Sequence, residues 1–561
     1  MQKETISRHW IRQLQAVVMQ AGGHFAIIKE KLLRQLMSAN NMNPADLVKY
    51  HDLLLAMMAY PENKTLLALS RSAMESVKRE VTSIFDESDH RTQYILTGTG
   101  IKGSLIIGSF SYPVTAWLAQ HFPEDIEIES SKADAESIRL FFRQILPRTE
   151  YETISAGELT LLNRIKKLKS NGSGSSLNWL LHHLGVSGLP ERTKESIFHG
   201  LQIFLRWKLD HPIYNRSSLS APGRKIFYAK GLTAPAAISK IFRKKIAAPV
   251  LLSPQQKKHL VNTARAALVF YYRETEPFTY ADSDTITCFE PGRGFRIVLY
   301  GMKAEKRLSI ESYIGYLVLK NGIPMAYGGG WMFGNRCQFG INIFPPFRGG
   351  DSSFILGNLL NIYQGHFGAR YFVIKPYQFG KNNPEALKSG AFWFYYKNGF
   401  RPENEELKKL AEKEAAKKTK DKNYRASADT LKKFLASNIV LRLSEDAFPF
   451  FDAAKISTRI TEFINKEYDG NRALAKKECL LKTSSALNIK NLAGWKNSEL
   501  KVLQEWSLLA QACLAIPLWK KYEKKNWVQL IKLKAGPDER SFILLLQKQY
   551  RFWKDLTMAL C

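Results

Sequence analysis

Residues 313–344 restrict the fold of this chain more than any other part of the sequence. Two runs rich in β-branched and aromatic residues, 313–320 and 323–331, are separated by Asn321 and Gly322. Asn-Gly between two such runs is a strong hairpin signal, because both residues tolerate the positive φ angles of a tight turn. A second turn near Gly334 leads into a third run that ends at Phe344. The sequence therefore predicts a three-stranded antiparallel meander.

The third strand is expected to leave the sheet at Pro345 and Pro346. Proline has no backbone N–H to donate to a neighbouring strand, so the ladder stops and a gap opens beside the next strand. Residues 347–353, Phe-Arg-Gly-Gly-Asp-Ser-Ser, form a glycine-rich turn that leads into a predicted helix over residues 354–363. Backbone N–H groups at the start of a helix, together with the helix dipole, favour a bound anion. The turn is therefore a predicted anion site.

Beyond this turn the sequence predicts a strand at residues 371–374 and a second helix that stops at a glycine. The end of that helix carries the pattern A-x-x-F-Y-x-x-x-G-F, filled by Ala391, Phe394, Tyr395, Gly399 and Phe400. The order of elements and the closing motif resemble the GNAT superfamily of N-acyltransferases, over about residues 265–402. The resemblance implies an α+β fold, in which a GNAT-like mixed sheet with flanking helices is embedded between helix-rich N- and C-terminal regions.

The resemblance also implies an activity: an N-acyltransferase that moves an acyl group from acetyl-CoA, or another acyl-CoA, to an amine. The family holds the coenzyme A diphosphate with main-chain N–H groups of a glycine-rich loop, and the corresponding positions are Arg348, Gly349, Gly350, Asp351, Ser352 and Ser353. Main-chain groups near Ile343 are expected to hold the pantetheine arm and to polarise the thioester carbonyl. Asn383 is expected to add a donor contact. Tyr395 is the expected catalytic residue, because a phenol can protonate the departing thiolate.

The loop and the second helix depart from the family pattern at three positions. Asp351 and Ser353 stand where the family has glycines. A carboxylate at residue 351 either repels a diphosphate or caps the helix that follows. Lys388 stands where the family places an asparagine, and Asn383 offers that side chain earlier in the chain, as if residues had been inserted.

The general base and the acceptor pocket are less defined by the sequence. The third strand, residues 337–344, has no acidic residue, so the base is a water chain or a residue from elsewhere. Tyr377, Glu385 and His366 are the candidates. The glycine run at residues 328–330 with Trp331, and the loop at residues 377–383, are expected to border the acceptor pocket, because glycines reduce side-chain bulk.

The periodicity of apolar residues divides the chain into regions. Residues 1–85 have the spacing of amphipathic helices, residues 86–170 mix extended runs with a helix, and a Gly- and Ser-rich joint begins at residue 171. We expect a helical region at 1–85, a small mixed α/β region at 86–170, a basic helical region at 171–264, the GNAT-like domain at 265–402 and a lysine-rich helical region at 403–561.

The charge of the chain favours a polyanionic partner. Its 561 residues include 82 Lys and Arg against 51 Asp and Glu, a formal net charge of +31. The sign of the charge does not choose between RNA, an acidic carrier protein and an anionic lipid surface. One basic stretch with aromatics is either a nucleic-acid surface or a solvated face with its aromatics in the core. It contains Arg224, Lys225, Phe227, Tyr228, Lys230, Lys240, Phe242, Arg243, Lys244 and Lys245.

Two alternatives to an acyl-CoA enzyme follow from this charge. The first keeps the fold but takes its acyl group from an aminoacyl-tRNA, as in the FemABX-like and lysyl-lipid transferases that GNAT folds resemble, or from an acyl carrier protein. The second is a non-catalytic nucleic-acid-binding or scaffold protein with a degenerate GNAT core. Salt-dependent binding of RNA or DNA without consumption of a thioester would indicate the second.

The cysteines and the apolar runs bear on location. The five cysteines are far apart and form no C-x-x-C pair, so neither a disulfide framework nor a zinc site is expected. No run approaches the ~20 apolar residues of a spanning helix, and the first residues lack the pattern of a signal peptide. The expectation is a cytoplasmic protein with no bound metal and no transmembrane segment.

Overall fold

The fold is that of a computed structural model, which describes residues 2–39, 42–87, 90–154, 160–169, 174–221, 223, 225–231, 245–421, 423–444 and 453–560. It is an α+β fold with about 58% helix. Within the described ranges the strands form two sheets, one of three strands and one of eight.

The small sheet combines strands from two of the expected regions. It consists of β1 (Leu105–Gly108), β2 (Ile126–Ser131) and β3 (Ile203–Lys208), all antiparallel, with β3 in the centre. β1 and β2 belong to the region expected at 86–170, whereas β3 belongs to the region expected to be helical at 171–264. Ile203, Leu205 and Trp207 of β3 are buried. The two expected regions therefore share one sheet and one core.

The large sheet contains the predicted meander. Its strands are β4 (Thr287–Gly292), β5 (Phe295–Tyr300), β6 (Ser312–Lys320), β7 (Ile323–Phe333), β8 (Arg336–Ile343), β9 (Tyr371–Ile374), β10 (Arg401–Pro402) and β11 (Ile439–Arg442). Their spatial order is β10-β11-β9-β8-β7-β6-β5-β4, and only β8 and β9 run parallel. The meander is confirmed as β6, β7 and β8, and both Asn321 and Gly322 in its first turn have positive φ. The predicted strand at 371–374 is confirmed as β9.

This sheet extends past the end of the expected GNAT-like region. β11 comes from the region expected to be helical at 403–561, and it inserts between β9 and β10. Ile439 and Val440 are buried there. β11 is only 4 residues long. An alternation of apolar and polar residues over so few positions cannot be distinguished from the helical sequence on either side. The sheet thus continues to residue 442 rather than ending near residue 402.

Helices cover both faces of the large sheet. The helices that precede β6 are α1 (Gln2–Val17), α2 (Gly23–Met37), α3 (Pro44–Ala59), α4 (Lys64–Glu87), α5 (His90–Leu96), α6 (Tyr112–His121), α7 (Ala135–Ile145), α8 (Arg148–Ile154), α9 (Leu161–Leu168), α10 (Ser176–Val186), α11 (Glu191–Gly200), α12 (Pro254–Val269) and α13 (Glu276–Thr279). α13 packs on one face of the sheet, where Pro277 and Phe278 meet Gly315 of β6.

The remaining helices follow the meander. They are α14 (Ser352–Phe367), α15 (Pro384–Lys388), α16 (Ala391–Lys397), α17 (Glu405–Lys420), α18 (Ala428–Phe434), α19 (Ala453–Tyr468), α20 (Arg472–Ala486), α21 (Asn497–Cys513), α22 (Lys521–Ala535), α23 (Glu539–Gln547) and α24 (Tyr550–Leu560). α14 and α16 are the two helices predicted around the loop and the closing motif. α14 covers the face of the sheet opposite α13, because its Tyr363 meets Gly330 of β7.

The N-terminal helices and the chain after β3 pack on the turn between β6 and β7. The Asn321 side-chain nitrogen donates to the carbonyls of Ala59 and Phe227, at 2.9 Å each. Residues 225–231 form neither helix nor strand, so this part of the region expected to be helical is irregular. Phe227 of the basic stretch therefore packs against the turn between β6 and β7. Other members of that stretch lie outside the described residues, namely Arg224, Lys240, Phe242, Arg243 and Lys244.

A buried ionic cluster joins the C-terminal helices to the large sheet. The Glu539 carboxylate lies 3.1 Å from Lys534 Nζ and 3.2 Å from Arg307 Nε. Lys534 also donates to the carbonyl of Glu311, just before β6, over 2.9 Å. We call Arg307, Lys534 and Glu539 the Glu539 cluster. It fixes α22 and α23 to the connection between β5 and β6.

Candidate functional site

The parallel strands β8 and β9 separate where the sequence predicts a gap. They pair only through residues 336–338 and 371–373, whereas β8 continues along β7 to Ile343. Pro345 and Pro346 then begin a turn of 3-10 helix, Pro345–Phe347, which takes the chain out of the sheet. The backbone of residues 339–343 therefore borders an opening between the two strands, which we call the β8–β9 opening.

Tyr316 contacts the β8–β9 opening at Gly340, and Tyr395 lies near Tyr316. The Tyr316 hydroxyl donates to the Gly340 carbonyl over 2.6 Å, and Tyr395 lies within electrostatic range of Tyr316. Tyr395 is buried, with its ring between those of Phe394 and Phe400. Burial raises the pKa of Tyr395 well above its ordinary value of 10.0. The expected general acid is therefore protonated at neutral pH, and it lies near Tyr316, which contacts Gly340.

The predicted anion loop, residues 348–353, follows the end of β8. Gly349 has a φ of 83°, and α14 begins at Ser352. Across the described chain, no protein acceptor meets the backbone N–H groups of Gly349, Ser353 and Phe354. The Ser352 N–H donates to the Gly350 carbonyl over 2.8 Å. Free N–H groups at the positive end of a helix dipole can hold a diphosphate.

Asp351 is turned into the protein. Its carboxylate makes no capping bond to α14, although the residue occupies the N-cap position. Its side chain is 1% exposed, and Oδ2 lies 3.9 Å from Nζ of Lys320. Of the two effects expected for this carboxylate, capping of the helix is absent. The carboxylate is also not exposed at the surface of the loop.

Arg348 links the loop to the short helix α15. Its Nε donates to the Ile343 carbonyl over 3.3 Å, and its guanidinium forms an ion pair with Glu385. Asn383 caps α15, because its side-chain oxygen accepts from the Ala386 N–H over 3.2 Å. Ile343, Arg348 and Asn383 therefore lie close together at one end of the opening. The Ile343 carbonyl and the Asn383 side-chain oxygen are both already engaged in bonds within the protein.

The face of the sheet opposite α14 is polar beside the opening. Tyr327 lies on this face, because side chains along β7 alternate and Gly330 faces α14. Tyr377 lies within electrostatic range of Tyr327 and is 56% exposed. The Gln378 amide packs on Gly340, where an added Cβ would lie 2.8 Å from its Nε2. Gln378 therefore covers Gly340 on this face of the sheet.

Of the three candidate bases, Tyr377 and Glu385 both lie near the opening, Tyr377 near Tyr327 of β7 and Glu385 beside Arg348. Glu385 is held in its ion pair with Arg348. His366 lies in the last turn of α14, roughly 20 Å from the loop at 1.5 Å per residue. Burial and the nearby Arg540 guanidinium lower the pKa of His366 to about 4. His366 therefore lies too far away to act as the base.

The glycine run at residues 328–330 is filled by tyrosines. The rings of Tyr316, Tyr313 and Tyr363 occupy the space that a Cβ would take at residues 328, 329 and 330, respectively. Trp331 stacks on Tyr313, with ring centroids 3.9 Å apart. The expectation that these glycines border an acceptor pocket is therefore wrong, because rings from both faces of the sheet close the space.

Gly330→Ala is expected to lower the free energy of unfolding by about 1–3 kcal/mol through overpacking. The added Cβ would lie 2.5 Å from the Tyr363 ring and 2.6 Å from Sγ of Cys337. Urea denaturation measures the change. Gly494→Ala is the control, because no atom lies within 4 Å of its Cβ. Equal stability of the two variants would contradict this packing role.

Comparison with protein-family models, with curated protein sequences and with solved structures finds no match to this chain. Over the described ranges, no helix has the length and apolar character to cross a membrane. The same residues contain no group of three or more His, Cys, Asp or Glu side chains that could hold a metal ion. The function is therefore inferred from the opening and the loop.

Sequence reasoning missed two side chains of this site: Tyr316 and Lys320. The glycine at position 340 was an available signal for Tyr316, because glycine inside a strand marks a close approach by another group. Lys320 precedes the Asn-Gly turn, where a lysine is ordinarily exposed. In the structure Lys320 is fully buried. No local pattern signals that burial.

Proposed function

We propose that this protein is an N-acyltransferase of GNAT-like fold, which moves an acyl group from an acyl-CoA to an amine. The observation that carries the proposal is the β8–β9 opening, with the protonated Tyr395 near the tyrosine that contacts Gly340 and with a loop of free N–H groups beyond its end. About 10 Å separate Gly340 from Ile343 at ~3.3 Å per residue. An extended pantetheine arm would run along this stretch, from the loop toward Tyr395.

The proposed reaction uses groups of the chain for binding and proton transfer. A neutral amine attacks the thioester carbonyl, and main-chain N–H groups that border the opening stabilise the oxyanion. The C–S bond then breaks, and the Tyr395 hydroxyl protonates the coenzyme A thiolate. The amine loses its proton to water, and Tyr377, which is exposed near Tyr327, is the candidate to orient that water. The phenolate of Tyr395 regains a proton from solvent, which completes the cycle.

A second candidate function uses a polyanionic donor, an aminoacyl-tRNA, in place of acyl-CoA. The net charge of +31 favours it. Exposed lysines along α20, including Lys476, Lys477 and Lys482, contribute to this charge on the C-terminal helices. An acyl carrier protein, which is acidic, satisfies the same charge requirement. A scaffold protein with a degenerate GNAT core would bind nucleic acid but transfer no acyl group.

Calorimetric titration of the nucleic-acid-free protein with acetyl-CoA and with a long-chain acyl-CoA tests the proposal. Saturable binding is expected. Gly349→Ala is expected to weaken it roughly tenfold, because a side chain in the left-handed conformation costs about 1–2 kcal/mol. The Gly349 φ of 83° requires that conformation.

Gly188→Ala is the matched control for this experiment. Gly188 has a φ of 72° and no atom within 4 Å of an added Cβ, so the substitution carries the same backbone cost in another loop. Its acetyl-CoA affinity should equal that of the unmodified protein. If the unmodified protein binds no acyl-CoA but binds tRNA with a steep salt dependence, the proposal fails and the second candidate replaces it.

A further inference from the structure

The predicted anion loop, residues 348–353, is called the diphosphate loop, because it is proposed to bind the diphosphate of acyl-CoA. Asp351 belongs to this loop, and its carboxylate is buried. Asp351 is the residue before α14, so a negative charge there opposes an anion at the helix N-terminus. In the structure the side chain neither caps the helix nor reaches solvent. A buried carboxylate is stable only when a positive charge or hydrogen-bond donors compensate it. The source of that compensation decides whether the loop can accept a diphosphate.

Lys320 is the cation that faces Asp351. It is the last residue of β6, its side chain is fully buried, and its Nζ lies 3.9 Å from Asp351 Oδ2. The ammonium donates to the Arg293 carbonyl over 2.6 Å. Burial lowers the pKa of Lys320 to about 8, although the Asp351 carboxylate opposes this shift. The lysine is therefore largely charged at neutral pH.

Three aromatic rings enclose the Lys320 ammonium. Its Nζ lies 4.1 Å from the ring centroid of Phe295, 4.7 Å from Tyr60 and 5.1 Å from Phe227. These rings attract a cation through their faces and exclude water from it. They come from β5, from the end of α3 and from the segment after β3. The enclosure thus requires the N-terminal half of the chain as well as the large sheet.

Tyr60, one of the three rings around the Lys320 ammonium, also contacts the loop. An added Cβ at Gly350 would lie 3.0 Å from the Tyr60 hydroxyl, so Tyr60 packs against the loop backbone. Loss of the Lys320 charge would remove the ammonium that lies 3.9 Å from the Asp351 carboxylate. The carboxylate would then either repel a bound diphosphate or turn outward into the loop.

We propose that Lys320 is a positioning residue for the diphosphate loop: it neutralises Asp351 inside the protein, so that the free N–H groups of Gly349, Ser353 and Phe354 meet the donor without an opposing charge. This inference rests on the proposed function, since it concerns the loop that would bind acyl-CoA. It assigns a role in donor binding to a strand residue and to Tyr60, both remote from the transferred group. It also accounts for an aspartate at a position where the family has glycine.

A double-mutant cycle on the full-length protein tests the role of Lys320. Acetyl-CoA is titrated calorimetrically into the unmodified protein, Lys320→Met, Asp351→Asn and Lys320→Met/Asp351→Asn, with thermal unfolding of each. Lys320→Met is expected to weaken binding roughly 10- to 100-fold, as for one uncompensated charge near the ligand. Asp351→Asn should bind at least as tightly as the unmodified protein, and the double variant should match Asp351→Asn.

Lys303→Met controls for the loss of one positive charge, because Lys303 is exposed on the connection between β5 and β6. Its acetyl-CoA affinity should not change. If Lys320→Met does not fold, the double variant decides, because it removes both charges of the Lys320–Asp351 pair. Affinity of the double variant tenfold below that of Asp351→Asn would overturn the inference.

The outcomes separate this inference from the proposed function. If the unmodified protein binds no acetyl-CoA, the proposed function fails and the role of Lys320 in donor binding fails with it. If the unmodified protein binds acetyl-CoA and a folded Lys320→Met binds it equally well, the proposed function stands and the role of Lys320 is overturned.

Discussion

Tyr395→Phe is expected to lower the turnover of acyl transfer by roughly 10²–10⁴-fold, the usual effect of losing a general acid. Only the hydroxyl is removed, so the ring contacts with Phe394 and Phe400 remain and the fold should persist. Acetyl-CoA affinity should change little, because the diphosphate loop lies at the far end of the β8–β9 opening. Turnover at saturating acetyl-CoA and calorimetric affinity, measured on the same samples, separate the two effects.

Tyr396→Phe is the matched control for this prediction. It removes a hydroxyl from the next residue of α16, whose ring faces the Arg401 guanidinium at 3.9 Å. Turnover of this variant should equal that of the unmodified protein. Unchanged turnover in Tyr395→Phe would remove Tyr395 from the mechanism and leave it as a core aromatic.

The pH dependence of turnover gives an independent measure of Tyr395. Burial raises the pKa of its phenol, so the proton-bearing form persists as the pH passes the ordinary tyrosine value of 10.0. In a plot of turnover against pH, we therefore expect no decrease that has its midpoint near pH 10. A fall of turnover with that midpoint would indicate a solvated phenol, which disagrees with its buried position.

Local signals explain the part of the fold that the sequence predicts. The Asn-Gly turn lies between residues that pair directly, so β6 and β7 are specified by neighbours in the chain. Local residues also mark the helix ends: a glycine-rich turn precedes α14, and Gly399 follows α16. The expected site residues Ile343, Arg348 and Asn383 are brought together because these elements are consecutive.

Long-range pairing explains what the sequence does not predict. β3 pairs with β1 and β2 across the Gly- and Ser-rich joint, and β11 inserts between β9 and β10 after an intervening lysine-rich helix. Both strands are short, and their partners are distant in the chain. The direction of the Asp351 side chain depends similarly on Lys320 and Tyr60. Neither charge nor spacing near residue 351 signals those partners.

Glu539→Ala is expected to lower the free energy of unfolding by about 3–5 kcal/mol, as for a broken buried ion pair. The side chains of the Glu539 cluster are at most 4% exposed. Without the carboxylate, Lys534 and Arg307 are left as buried cations. Burial already lowers the pKa of Lys534, and the Glu539 carboxylate opposes that shift. Urea denaturation of both proteins measures the loss.

Two further variants isolate the role of the Glu539 charge. Glu462→Ala removes an exposed carboxylate 3.9 Å from Arg459 and should change stability by at most about 1 kcal/mol. Glu539→Gln keeps the shape of the side chain without its charge and should lose nearly as much stability as Glu539→Ala. A small loss in both Glu539 variants would show that packing, rather than charge, holds the C-terminal helices on the sheet.

The position of the Glu539 cluster predicts which part of the protein opens first in Glu539→Ala. The cluster joins α22 and α23 to the chain just before β6, whereas Lys320 and the diphosphate loop lie at the other end of that strand. Hydrogen exchange should therefore increase in α22 and α23 before it increases in β6–β8. Acetyl-CoA affinity of the folded variant should stay unchanged, because the groups proposed to bind the donor are held by the opposite end of the sheet.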